Sequence, residues 1–120
     1  MIHFDKTVFG AVYIDGQRYG DVLIVGDKIK PRDKDRLTRE VGDHHQVGDF
    51  EVDELLTNKP EIIIIGNGQS GVLEVSDRLR ERIDKAGVEL KILITPEAIE
   101  EFNLFTKEEK KVNCLIHTTC

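Results

Sequence analysis

Three groups of residues have types and spacings that could do chemistry. Gly66-x-Gly68-x-x-Gly71 spells a dinucleotide fingerprint, set after an apolar run and ahead of an amphipathic one. Free backbone N–H groups at a helix start, helped by the helix dipole, favour an anion. The full fingerprint also needs an acid at the end of the next strand to hold a ribose. That strand ends Leu93-Ile94-Thr95-Pro96, and too little chain follows Gly71 for a second mononucleotide half. No Lys-Ser/Thr pair follows the loop, so it is not a Walker P-loop. It reads first as a glycine-rich strand-to-helix turn, with a small anion or polar ligand as the chemical alternative.

The second group is His44-His45 beside Asp43, in an irregular stretch. A loop histidine next to an acid suits a general base or a metal ligand. His117 and Cys120 add a His-x-x-Cys ending, but zinc needs about four converging ligands, and no spacing here announces them. No metal and no cofactor is therefore expected. The third group is the alternating Lys28, Lys30, Arg32, Lys34 and Arg36, which would share one face of an extended chain. Asp27, Asp33, Asp35 and Glu40 offset most of that charge, so the run reads as a solvated edge, where lysine discourages aggregation. Ser70 and Ser76 are the only serines, and neither stands in a Gly-x-Ser-x-Gly elbow. Ser70 reads as a helix cap, and Ser76 as a solvent-facing helix residue. His-Glu-x-x-His is absent as well.

These residues must be positioned by the elements around them. Residues 8–14 are β-rich, and Asp15-Gly16 suits both positive-φ positions of a type I′ hairpin turn. The return strand runs over 17–25, and Lys28–Lys30 follows as a short third strand, giving an antiparallel meander. Residues 31–48 read as a long irregular loop, and 51–58 as a short helix stopped by Pro60. Ile62–Ile65 is an unbroken β-branched run, the pattern of a central strand buried on both faces. Val72, Val75, Leu79, Ile83 and Ala86 recur at helical spacing, with Gly87 as the C-terminal cap. A strand over 88–94 comes next. Thr95 reads as an N-cap and Pro96 as the first residue of another helix, striped by Ala98, Ile99, Phe102 and Phe105. The last strand is 112–116. Strand-helix alternation with right-handed crossovers gives a largely parallel sheet.

Composition bounds the function. At 120 residues the chain suits one domain, spanning 1–120. A net charge of −6 argues against nucleic acid and against an anionic membrane surface. The N-terminus carries no signal-peptide pattern, and the longest apolar run falls far short of a membrane span. Cys114 and Cys120 are too close together to frame a disulfide scaffold. A cytoplasmic location is expected.

Taken together, the residues resemble a known family. It contains the mitochondrial respiratory complex I assembly factor 3, the adipogenesis-associated domain protein and many archaeal and bacterial single-domain proteins. The resemblance runs nearly end to end. It lies on Phe9-Gly10, Ile14-Asp15-Gly16, Tyr19, Asp21-Val22 and Gly42-Asp43-His44-His45. Its strongest part is Lys59-Pro60-Glu61 with Ile62–Ile65 and Gly66-Asn67-Gly68. Thr95-Pro96-Glu97-Ala98-Ile99 and Phe102-Asn103 follow, and the ending Leu115–Cys120 looks like the archaeal branch. The resemblance implies an α/β fold of three layers, a mixed central β-sheet with helices and an N-terminal antiparallel β meander. It implies no established enzymatic activity, and an assembly-partner role for the mitochondrial members. This chain has no tryptophan and no targeting presequence, so the complex I role itself is not carried over. The leading expectation is a non-enzymatic module that binds a protein partner. The alternative is a small-molecule or anion site, even a minor enzyme, at the carboxyl ends of the strands. It would use Gly66, Asn67, Gly68, Gln69 and Ser70, with Thr95, Asn103, His44 and His45 around them.

Overall fold

A computed structural model describes residues Met1–Cys120. Eight strands and four helices form three layers. The N-terminal strands β1 (Phe4–Val8), β2 (Ala11–Ile14) and β3 (Gln17–Tyr19) make a three-stranded antiparallel sheet. The central sheet has the order β5-β4-β8-β6-β7. It is built from β4 (Val22–Val25), β5 (Lys28–Pro31), β6 (Ile62–Asn67), β7 (Glu89–Leu93) and β8 (Val112–His117). β6 runs parallel to both β7 and β8, whereas β4 is antiparallel to β8 and β5. The sheet is thus mixed, with a parallel half from the second part of the chain.

Period two explains the two cores. Ile62 and Ile64 join one apolar cluster, with Phe4, Val12 and Ile14 of the small sheet and Ala98, Ile99 and Phe102 of α4 (Thr95–Lys107). Ile63 and Ile65 point the other way, into Val52 and Leu55 of α2 (Asp49–Leu55) and Leu79 and Ile83 of α3 (Asp77–Lys85). The β-branched run is therefore buried on both faces, as its composition predicts. Asp15 and Gly16 both take positive φ, 48° and 84°, as the hairpin reading requires.

Several expectations change. The meander begins earlier, at Phe4, and turns at Phe9-Gly10. The expected return strand over 17–25 is two strands in two sheets. β3 stays in the small sheet, while Val22, Leu23 and Ile24 are buried and cross into the central one. The expected loop over 31–48 contains α1 (Lys34–Glu40), N-capped by Asp33, whose carboxylate accepts from the Arg36 N–H at 3.0 Å. Leu37 is its one buried residue, so the helix has no apolar stripe to announce it. The helix expected from Val72 starts only at Asp77. Its N-cap is Ser76, whose hydroxyl accepts from the Leu79 N–H, so neither serine plays its expected part. Val72 and Val75, the first residues of the expected stripe, lie ahead of the helix and only mimic helical spacing; Val75 is buried and Val72 exposed. Ile94, not Thr95, is the N-cap of α4.

Asn103 locks the two halves together. Two turns into α4, its amide donates to the Phe4 carbonyl at 2.8 Å and accepts from the Phe4 N–H at 3.0 Å, standing in for a neighbouring strand. Phe4 and Phe102 meet edge to face beside it, ring centres 5.0 Å apart. Asn103→Ala removes both hydrogen bonds and is expected to cost about 1–3 kcal/mol in urea denaturation. An unchanged midpoint would show that β1 is held by its apolar contacts alone.

Candidate functional site

The carboxyl ends of β6 and β8 meet the end of β7 and the His44-His45 segment, the usual ligand end of an open α/β sheet. Gly66-x-Gly68-x-x-Gly71 leaves β6 here, but no helix opens behind it, since α3 starts at Asp77. The helix-dipole argument for an anion is lost with it. Four of the loop's N–H groups, those of Gly68, Gln69, Ser70 and Val72, already have partners. Gln69 N–H donates to the Thr119 carbonyl at 2.7 Å, and the Ser70 and Val72 N–H groups donate to the Cys120 oxygen at 2.9 and 3.1 Å. A Cβ on Gly68, whose φ is +110°, would lie 2.2 Å from the Cys120 backbone carbon. Glycine is needed there so that residues 119–120 can lie in the loop.

Thr95 gives up its expected capping role for a tertiary one. Its hydroxyl donates to the His117 carbonyl at 2.6 Å and accepts from the Gly68 N–H at 3.0 Å, tying β8 to the loop. Gln69 reaches Thr7, the Val8 carbonyl and the Thr118 carbonyl through its amide N–H groups. Asn67 lies at the strand end with a buried Oδ1 that has no partner. The structure thus brings Gly66–Ser70 and Thr95 together around the C-terminal segment. His44 and His45 join the same end of the sheet from the side. Asn103 does not: it faces β1 and a separate cleft of about 510 Å³ beside Met1, Ile2 and Leu104.

The most elaborate polar structure in the molecule is one that the motif reading passed over. Arg32, expected on a solvated edge, is buried. Its Nε and Nη2 donate to the two Glu51 oxygens at 2.7 and 2.9 Å. Its Nη1 donates to Asp21 at 3.2 Å and to the His44 carbonyl at 3.0 Å, and Nη2 also donates to the Gln46 carbonyl. Asp21 in turn accepts from His117 Nδ1 at 2.7 Å and from the Thr118 N–H and hydroxyl, both at 2.7 Å. The side chains of Arg32, Glu51, Asp21 and His117 are fully shielded from solvent.

Burial pushes the Asp21 carboxyl up, but the hydrogen bonds from His117 and Thr118 outweigh it and hold the carboxyl well below the usual range. Burial likewise works against the Arg32 charge, and Glu51 and Asp21 more than restore it. With a carboxylate as its partner, His117 Nδ1 carries the proton and Nε2 is left to the Thr119 hydroxyl, 3.2 Å away.

His44 and His45 stand over this histidine. Ring centres are 4.3 Å apart for His44–His45, 5.4 Å for His45–His117 and 6.3 Å for His44–His117. Asp43 repeats the Asp21 arrangement, with Oδ1 3.1 Å from His45 Nδ1 and 2.8 Å from the His45 N–H. Asp43 is held below the ordinary carboxyl value, chiefly by that N–H. His44 is pushed below the ordinary imidazole value by burial first, then by His45 and Lys34. Asp43, His44 and His45 offer ligand atoms that all lie within 4.8 Å of one another. Asp43, His44, His45 and His117 line none of the surface clefts.

Comparison with known proteins follows this geometry. The family described as "Protein of unknown function (DUF498/DUF598)" matches residues 4–117. The chain is similar to the "13 kDa major membrane protein" of Francisella tularensis, 29% identical over 117 residues, covering 96% of this chain and 89% of that protein. Among solved structures it is similar to MT938, at 33% identity and a TM-score of 0.84 with complete coverage of both chains. It also shares its fold with the conserved hypothetical protein PH1505 of Pyrococcus horikoshii, at 24% identity and a TM-score of 0.83, covering 98% of each. No helix of the present chain is long and apolar enough to cross a membrane.

Two outcomes test the buried network. Arg32→Met leaves Asp21 and Glu51 buried without their cation, and is expected to cost about 3–5 kcal/mol in urea denaturation; a loss below 1 kcal/mol would contradict the pairing. For pH, the folded Asp21 carboxyl lies below its unfolded value of about 3.9. Its stabilisation is complete above that pH and is lost as pH falls toward the folded value. The urea midpoint is therefore expected to drop below about pH 4, with a shallower drop in Asp21→Asn.

Proposed function

The chain belongs to the DUF498/DUF598 family, and on that premise we propose that it is a non-enzymatic binding module. It docks a protein partner through the apolar rim at the carboxyl ends of β6 and β7. The observation that carries this reading is the gathering of exposed apolar side chains at one end of the sheet. Val8 and Phe9 at the β1–β2 turn, Val72 after the glycine loop and Ile94 after β7 are 46%, 68%, 46% and 38% exposed. Hydrogen bonds join their segments: Gln69 to the Val8 carbonyl, Gly10 to Thr118, and Val72 to Cys120. Ile94 lies 3.6 Å from where a Cβ on Gly71 would stand. Burying a large apolar side chain contributes about 1.5–3 kcal/mol, and clustered exposed apolar residues mark interaction sites.

The polar side of the same end supports this over the small-ligand alternative. The N–H groups of Gln69, Ser70 and Val72 are spent on Thr119 and Cys120, so an anion at the loop must displace both residues. A binding role is also what the resemblance to the complex I assembly factor 3 branch implies, taken without the mitochondrial function. The Francisella relative is named a membrane protein, and a chain without a spanning helix can reach a membrane through a docked partner.

The test is affinity capture from the native cell, followed by titration of the purified partner against wild type and a Phe9→Ser/Val72→Ser double variant. The variant is expected to bind at least about tenfold more weakly, roughly 1.4 kcal/mol, with an unchanged Tm. Equal affinity of the variant, or no recoverable partner, would overturn the reading. A thermal-shift panel of phosphate, nucleotides and common metabolites addresses the alternative, and is expected to be flat. A clear shift, lost in Gly68→Ala, would favour a ligand at the loop.

A further inference from the structure

We propose that His44, His45 and His117 form a binding site for a transition-metal ion of the zinc class, with the fourth coordination position left open. The inference is independent of the docking surface and rests on three features of the cluster.

The first is the spacing. Zinc–imidazole bonds of about 2.0–2.1 Å in tetrahedral geometry place the centres of neighbouring rings about 5 Å apart. The three ring separations here, 4.3, 5.4 and 6.3 Å, bracket that value. Ligand atoms of His44 and His45 lie within 4.8 Å of each other, and His117 joins them through its ring contact with His45, centres 5.4 Å apart.

The second feature is the outer shell. A metal-bound histidine ordinarily donates its other ring N–H to a carboxylate or carbonyl, which fixes its tautomer and orientation. Two of the three histidines have this arrangement. Asp21 accepts from His117 Nδ1 at 2.7 Å, and Asp43 lies 3.1 Å from His45 Nδ1. In both rings this leaves Nε2 as the atom available to a metal. His117 Nε2 has no strong protein partner, only the Thr119 hydroxyl at 3.2 Å. That hydroxyl can turn away without leaving a buried group unpaired, because Thr119 is only partly buried.

The third feature is rigidity and charge. Arg32 holds the His44 and Gln46 carbonyls, which pins the backbone on both sides of His45. Asp21 and Glu51 set two buried carboxylates against the one buried cation, Arg32, and Asp43 adds a carboxylate beside His45, so the local balance favours a further positive charge. Imidazole ligands select zinc, cobalt, nickel or copper over magnesium and calcium, which prefer oxygen. A three-histidine set with one open position is the arrangement that leaves a site for water or for a donor from a partner.

The probe is the metal alone. Zn²⁺ competition against a chromophoric chelator and the visible spectrum of a Co²⁺ titration are measured on the full chain. One equivalent per chain is expected, with the intense visible absorption of four-coordinate Co²⁺. Zn²⁺ at about 100 times its dissociation constant should raise Tm by roughly 10 °C. His44→Ala and His45→Ala, both on a partly exposed loop, should each weaken binding by more than tenfold. Asp43→Asn should weaken it by about 10–100-fold, as loss of an outer-shell carboxylate does. Cys120→Ser should leave affinity and spectrum unchanged. Absence of stoichiometric binding by the folded wild type would overturn the proposal. So would retention of binding in the His44→Ala/His45→Ala double variant, or loss of binding in Cys120→Ser.

Discussion

The guanidinium of Arg32 has five N–H groups, and each of them has an acceptor: two on the buried Glu51, one on the buried Asp21, and the carbonyls of His44 and Gln46. No other side chain reaches so many parts of the chain. It joins the end of β5 to α2, to the start of β4 and to the segment between the first two helices. Through Asp21 it joins them all to the end of β8. Desolvating one cation and two carboxylates is expensive, and apolar residues of the same volume could be as stable. What the network supplies is position. It fixes the backbone at residues 44–46 against the sheet end and holds His117 in one tautomer beneath them.

The carboxyl end of the central sheet is thereby divided into two parts. On one side, the glycine loop after β6 is filled by the chain's own residues 119–120, with Thr95 and Gln69 fastening them. Its chemistry is internal, and the apolar groups around it, Phe9 and Val72 foremost, are what it presents outward. On the other side, His117 lies against the buried Asp21 carboxylate and His45 against the exposed Asp43, with the His44 ring stacked beside them. The two parts share the chain from His117, the last residue of β8, to Cys120.

The layered α/β architecture was legible because it rests on local signals. The Ile62–Ile65 run, the Asp15-Gly16 turn and the cap at Gly87 each carry their own physics. The elements that were misread lacked such signals. α1 buries only Leu37, so it has no periodicity, and Val72 and Val75 have helical spacing while lying outside the helix. Arg32 was hidden in an alternating run whose other members are solvated. The buried network could not be read off, because Asp21 and His117 are nearly the whole chain apart and no spacing rule links them. Some trace of it was present: an acid directly before the apolar run Val22-Leu23-Ile24, and Glu51 between the core residues Phe50 and Val52. Charges set inside apolar stretches are rarely solvated, and these two are the carboxylates on Arg32. His44, His45 and His117 were all visible as candidates, but no spacing could show that they meet.

The central claim is that the Arg32–Asp21 pair fixes His117 with its proton on Nδ1, leaving Nε2 to the Thr119 hydroxyl. Long-range proton–nitrogen NMR of the imidazole rings, in metal-free protein at neutral pH, tests it most directly. The account predicts one histidine in the Nδ1–H tautomer with a proton strongly protected from solvent exchange, and loss of that protection in Asp21→Asn. A His117 in the Nε2–H tautomer, or one whose Nδ1 proton exchanges freely, would contradict it.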